Sequence, residues 1–249
     1  MRNFFGESYI GKPFEIFSSY HILLISIIFI SCIIIYLSKN KLRKEKVNTC
    51  FRYTIGTILL LEQSLLYLWY HINNSWTSSI SLPLNLCEAA VILSIFLLIT
   101  KSYLLYEILY FWGMTGVLAA IITPDINGYN HTHFIFYHFF ITHGLVIISV
   151  LFMTFVNKYR PKAISIIKVM GITNSYMVFV AFINIITGGN YLFICSKPQS
   201  ASIMDYLGPW PLYIISLEIV ALIGFTLLYL PFSSIGIQVI HFLKNLLSL

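Results

Sequence analysis

Charge is scarce in this chain: 10% of its 249 residues are Asp, Glu, Lys or Arg, against about 25% in a soluble domain. With 58% hydrophobic and 16% aromatic residues beside it, that scarcity excludes a soluble globular protein. Long polar stretches are missing as well. Seven spans of about 20 residues occupy roughly 140 positions, which leaves short connections and no room for a large extramembrane domain. Four cysteines, Cys32, Cys50, Cys87 and Cys195, are too few for a disulfide scaffold, and no CxxC or Cys/His zinc spacing joins them. No inverted repeat is visible, which weakens a transporter built from two symmetric halves. The first apolar run is too long for a signal segment, lacks a small-residue cleavage site and precedes its basic cluster, so it reads as a retained helix.

Apolar runs are present near residues 20–37, 52–71, 83–100, 103–123, 134–156, 166–187 and 211–231. Each is continuously apolar rather than alternating, which favours helices over barrel strands. The predicted fold is all-α: one integral membrane domain over residues 1–249, a polytopic bundle of seven transmembrane helices. The three-residue link at 100–102 predicts an antiparallel hairpin of the third and fourth spans.

The formal charge of +6 is concentrated beside the runs, a sign of membrane topology rather than of nucleic-acid binding. An N-terminus outside and a C-terminus inside put Lys39, Lys41, Arg43, Lys44, Lys46, Arg52, Lys101, Lys158, Arg160, Lys162, Lys168 and Lys244 on the cytoplasmic side. Only Arg2, Lys12 and Lys197 fall outside. Removing any one span sends a basic cluster across the membrane. The expected location is a cell membrane, bacterial and multi-pass, with membrane lipids as partners.

Ionisable residues within spans are rare and are candidates for function. Here they are Glu62, Cys87, Glu88, Glu107, His138, His143 and Glu218. Under the topology above, Cys87, Glu88, His138, His143 and Glu218 fall in the outer half. Cys87 and His143 carry the sharpest chemistry, since a thiol becomes a nucleophile beside a base and imidazole is such a base. The opposing reading makes Cys87 a small packing residue. At 1.5 Å per residue, Cys87 lies about 6 Å and His143 about 14 Å below their span starts, so tilt or a shifted helix start is needed to join them. Glu62 and Glu218 also read as interhelical hydrogen-bonding groups. His131, His133 and His138 with Asp125 offer metal-ligand side chains, but loop histidines are ordinarily solvated, and no metal or cofactor is expected. Residues 188–211 form either a turn-rich loop anchored by Trp210 and Tyr213 or a lid that offers Lys197 to an anionic headgroup.

Three stretches carry a family likeness: LPLNLC ending at Cys87, YHFFITHG from Tyr137 to Gly144, and GGNYLFICSKP with the following DYLGPWPLY. Over roughly residues 15–230 the chain resembles the bacterial YwaF-type integral membrane proteins, which are related to the animal transmembrane protein 164. The resemblance implies a seven-helix or similar bundle and, through the animal relative, a Cys/His lipid acyltransferase. It puts the nucleophile on Cys87 and its histidine on His143. Many bacterial members have His where this chain has Asn85. Around the pair, Asn85, Glu88, His138, Asn190, Lys197, Asp205, Trp210 and Glu218 are the expected binding or supporting residues. The expected activity is transfer of glycerolipid acyl chains through a thioester. The alternatives are a lipid hydrolase with water as acceptor and a non-catalytic lipid or small-molecule binding or transport protein.

Overall fold

The computed structural model describes residues 2–9, 11–198, 203–234, 236 and 238. Among them the fold is helical throughout, without strands. The long helices are α1 (Ser19–Leu37), α2 (Glu45–Ile72), α3 (Leu86–Thr100), α4 (Tyr103–Ile122), α5 (Phe134–Phe155), α6 (Ala163–Thr187) and α7 (Leu212–Tyr229). By length and composition, α1, α4, α5, α6 and α7 are able to cross a membrane; α3 is apolar but shorter, and α2 carries Arg52, Glu62, Gln63 and His71 along its length. Lys244 lies outside the described residues. The chain divides into two compact units, residues 1–159 and 160–249.

In the first unit α3 packs against α2, α4 and α5, and α5 also packs against α1 and α2. The expected α3–α4 hairpin is present. Lys101 adopts a left-handed conformation (φ 54°) to end α3, and the Ser102 hydroxyl accepts the Leu105 N–H to start α4. α2 begins at Glu45, before the apolar run, and Arg52 is a buried residue within it. Its guanidinium donates to the carbonyls of Leu98 and Ile99 at the end of α3, and its Nε donates to Asn48 at 3.1 Å. Arg43 does the same for α5, donating to the carbonyls of Phe155 (2.9 Å) and Val156 (3.2 Å). A cation at a helix C-terminus satisfies orphan carbonyls and opposes the negative end of the helix dipole. These two arginines therefore set the ends of α3 and α5 beside the basic segment.

At the opposite end of this unit, residues 2–9 and 11–18 form a strap across the loop ends. Tyr129 Oη donates to Glu7 O (2.9 Å), Asn130 Nδ2 to Lys12 O (2.7 Å), and Phe14 N–H to Gly128 O (2.9 Å). Beneath it Leu66, Trp69, Tyr129 and Phe134 make an apolar cluster joined by Phe5 and Tyr9. Two buried histidines fasten the strap. His133 Nδ1 accepts the Ile135 N–H, capping α5, and its Nε2–H donates to Gly6 O at 2.8 Å. His21 accepts the Phe17 N–H at Nδ1 and donates from Nε2 to Ile121 O, each at 2.9 Å. A ring that accepts at one nitrogen and donates at the other is neutral.

In the second unit α6 and α7 pack against each other, joined by Asn174 Nδ2 donating to Glu218 Oε2 at 2.9 Å. Buried Asn184 accepts the Tyr191 N–H and donates to the Tyr191 carbonyl, tying the following loop back to α6.

Candidate functional site

The start of α3 is set by Asn85 as N-cap, with the Glu88 carboxylate accepting the Asn85 N–H at 3.3 Å in a capping box. The helix consequently begins at Leu86, three residues later than the apolar run. Cys87 is its second residue, half-buried and a free thiol. Cys87 follows the N-cap closely, so it lies in the turn whose N–H groups have no partner within the helix. The side chains of Asn85 and Glu88 are committed to the cap.

His143 is buried on α5 and stacks on Phe139, with ring centroids 3.8 Å apart. Its Nδ1 lies 2.8 Å from the Phe139 carbonyl. A carbonyl only accepts, so Nδ1 carries the proton and Nε2 the lone pair, the tautomer of a general base. No hydrogen bond joins Cys87 to His143 among the described residues. Counted from their own helix starts, His143 lies eight residues deeper than Cys87, about 12 Å. The later start of α3 widens the expected depth difference.

Between α3 and α5 runs a feature that the sequence pattern does not signal: α4 is π-helical at Gly113–Val117. A Cβ on Gly116 would stand 3.0 Å from Leu86, and one on Gly113 would stand 3.4 Å from Val150. Two glycines thus let the widened turn touch both the residue before Cys87 and the helix that carries His143. π-turns inside α-helices recur at functional sites. Seven residues beyond Cys87, buried Ser94 has no hydrogen-bond partner for its hydroxyl among the described residues.

The remaining expected residues separate. His138 faces α2, its Nδ1 3.2 Å from Glu62 Oε2, as an ion pair when protonated. The three histidines of the metal reading do not converge: His131 stacks on Tyr20, His133 holds Gly6, and His138 meets Glu62. Among the described residues no group of three metal-ligating side chains occurs. In the second unit Asn190 is a loop staple rather than an open donor: it accepts the N–H groups of Cys195 and Ser196 and donates to Ser196 O. Trp210 donates from Nε1 to Ile194 O. Tyr213 is buried and donates to Phe193 O, so it locks the loop to α7 instead of anchoring at an interface. Lys197 lies over the Tyr213 ring, 5.6 Å from its centroid. Asp205 sits in the short turn Ile203–Tyr206, and Glu218 is held by Asn174.

A model of the TMEM164 family matches residues 16–229. The chain belongs to this family. An uncharacterized protein of Treponema pallidum (strain Nichols) is 30% identical to it over 164 residues, 64% of each chain, so the match spans less than two thirds of that relative's length. No solved structure matches. This TMEM164-family chain is a membrane protein with several apolar helices.

Proposed function

We propose that this protein is a membrane-embedded acyltransferase or transacylase that uses Cys87 as nucleophile and His143 as its base. The observation that carries the reading is a free thiol in the first turn of α3 in a chain that also holds a buried imidazole with its lone pair on Nε2. In the first step Cys87 Sγ bonds to an ester carbonyl carbon of a glycerolipid while His143 takes the thiol proton. The ester C–O bond breaks, and that proton passes to the departing lysolipid oxygen. An acceptor hydroxyl then attacks the thioester, gives its proton to His143, and the C–S bond breaks to restore the thiol. The tetrahedral oxyanion is served by the N–H groups of the first α3 turn rather than by the Asn85 amide, which the cap occupies. His138, paired with Glu62, acts in support. The accompanying architecture is one domain of seven spans, N-terminus outside and C-terminus inside, in a bacterial plasma membrane. Exposed Cys195 and residue 42 test it: in intact cells an impermeant maleimide reacts at the first and not at the second, and the reverse pattern inverts the topology.

A second reading, a non-catalytic lipid or small-molecule binding or transport protein with Cys87 as a packing residue, is favoured by the missing Cys87–His143 hydrogen bond. A thiol-reactive lipid probe on solubilised protein separates the two. Labelling of Cys87 that disappears in His143→Ala supports catalysis; equal labelling of Cys32 and Cys87 supports the binder. Transfer to a lysolipid, as against release of free fatty acid, distinguishes transferase from hydrolase.

A further inference from the structure

Between α1 and α5 runs an open groove of about 210 Å³, walled by Leu24 and Ile28 on one side and by Phe140, Ile141 and Ile148 on the other. Its floor is Gly144, where a Cβ would meet the Ile28 side chain at 2.9 Å; the glycine thus gives α1 its close approach to α5. From Tyr137 to Ile148 the groove runs eleven residues along α5, about 16 Å. That matches half of the ~30 Å hydrocarbon thickness of a bilayer, the depth of one leaflet. It opens onto the exposed apolar stripe of α1 formed by Leu23, Ile27, Ile30 and Ile34, so it is continuous with the surface this membrane protein turns to lipid. Tyr137 stands at the end where α5 begins, where an amphipathic ring suits a headgroup boundary.

We infer that the α1–α5 groove is a binding site for one acyl chain of a membrane lipid, held along the leaflet depth from Tyr137 to Ile148 with Gly144 beneath it. The site is distinct from the one proposed for Cys87. At 3.6 residues per turn, His143 stands about 100° to 160° round α5 from Ile141, Gly144 and Ile148, so the inference holds whether or not Cys87 is a nucleophile.

The test uses the full-length protein in phosphatidylethanolamine and phosphatidylglycerol vesicles doped with a phospholipid that carries a diazirine midway along one acyl chain. After photolysis, adducts on peptides covering the groove are expected at about tenfold the yield on the exposed α6 stretch around Val178 and Ile185, a preference of about 1.4 kcal/mol. Gly144→Leu pushes the Ile28 side chain outward into the groove and brings the yield down to that of α6. Ile141→Trp fills it from the half-open rim and gives the same loss without disturbing the floor, so the question is answered even where Gly144→Leu fails to fold. Equal yields on groove and α6 in the native protein overturn the inference, as does an undiminished yield in folded Ile141→Trp. A groove yield equal to that of α6 in protein that runs as a dimer overturns it too, because the occupant is then a second copy.

Discussion

Helices α5 and α6 are both long and apolar enough to cross a membrane, yet 61% of the most apolar stretch is buried in α5 and 17% in α6. α5 is surrounded by α1, α2, α3 and α4, and Thr142, His143, Ser149 and Thr154 are buried within that surround. α6 leaves Ile167, Val178 and Ile185 exposed. Apolarity therefore reports that a helix lies in a bilayer, whereas burial depends on how many helices pack around it, since lipid is as apolar as leucine. Polar side chains with chemistry to offer follow the packing, because a bundle interior gives them partners that lipid does not.

The largest expected contrast is in activity. With the proposed mechanism, His143→Ala lowers transacylation by about 10²- to 10⁴-fold, the span of general-base contributions, and Cys87→Ser loses most turnover while still folding. Cys195→Ser in the second unit leaves turnover unchanged. Initial rates with a fluorescent glycerolipid donor, alongside thermal unfolding to verify folding, measure both; equal losses at Cys87 and Cys195 erase the contrast.

Stability sharpens it next. Phe152 is buried on α5 and stacks on Phe51 with centroids 4.6 Å apart, whereas Phe182 on α6 is exposed. Phe152→Ala is expected to destabilise by about 3–5 kcal/mol and Phe182→Ala by no more than about 0.5 kcal/mol, read as unfolding free energies in the same micelle or vesicle. Arg52→Met follows at about 1–3 kcal/mol, since it leaves the Leu98 and Ile99 carbonyls without their donor.

The smallest effect is a pH dependence confined to the strap. Burial holds the His133 imidazole below its ordinary value of 6.5, with the hydrogen bond to Gly6 opposing in part. Because the folded value is depressed, the unfolded chain binds the proton more readily. The stabilisation is complete above about pH 6.5 and is lost as the pH falls towards the folded value. Amide protection over residues 3–9 and 134–136, taken relative to the intrinsic exchange rate at each pH, should fall as the pH drops below about 6.5, before that of the rest of α5 does. His133→Asn, which keeps a capping side chain, removes that acid sensitivity. Exchange that is equally acid-sensitive in the variant assigns the effect elsewhere.

Much of the helical plan was legible because each apolar run is long and bounded by polar residues. Even the late start of α3 has a sequence cause, in Asn85 followed three residues later by Glu88. What was not legible depends on rotation and close approach. The π-turn at Gly113–Val117 lies inside a continuous apolar run and leaves no periodic mark. The role of Arg52 was not legible because its partners are backbone carbonyls 46 and 47 residues away, which no local pattern encodes. The strap is invisible for the same reason, since Gly6 and Glu7 contribute carbonyl groups and not side chains. At the candidate site the residue types were readable, but the rotation of α3 relative to α5 was not.

The most direct test of the central claim is the covalent state of Cys87 during incubation with phospholipid vesicles, read by peptide mass spectrometry before and after hydroxylamine. A Cys87 nucleophile predicts an acyl increment on the peptide containing residue 87, released by hydroxylamine, diminished in His143→Ala and chased by added lysolipid. Native protein that binds phospholipid but carries no hydroxylamine-labile increment at Cys87, with lyso- and diacyl-lipid pools unchanged, would contradict the claim and leave Cys87 a packing residue of a lipid-binding protein.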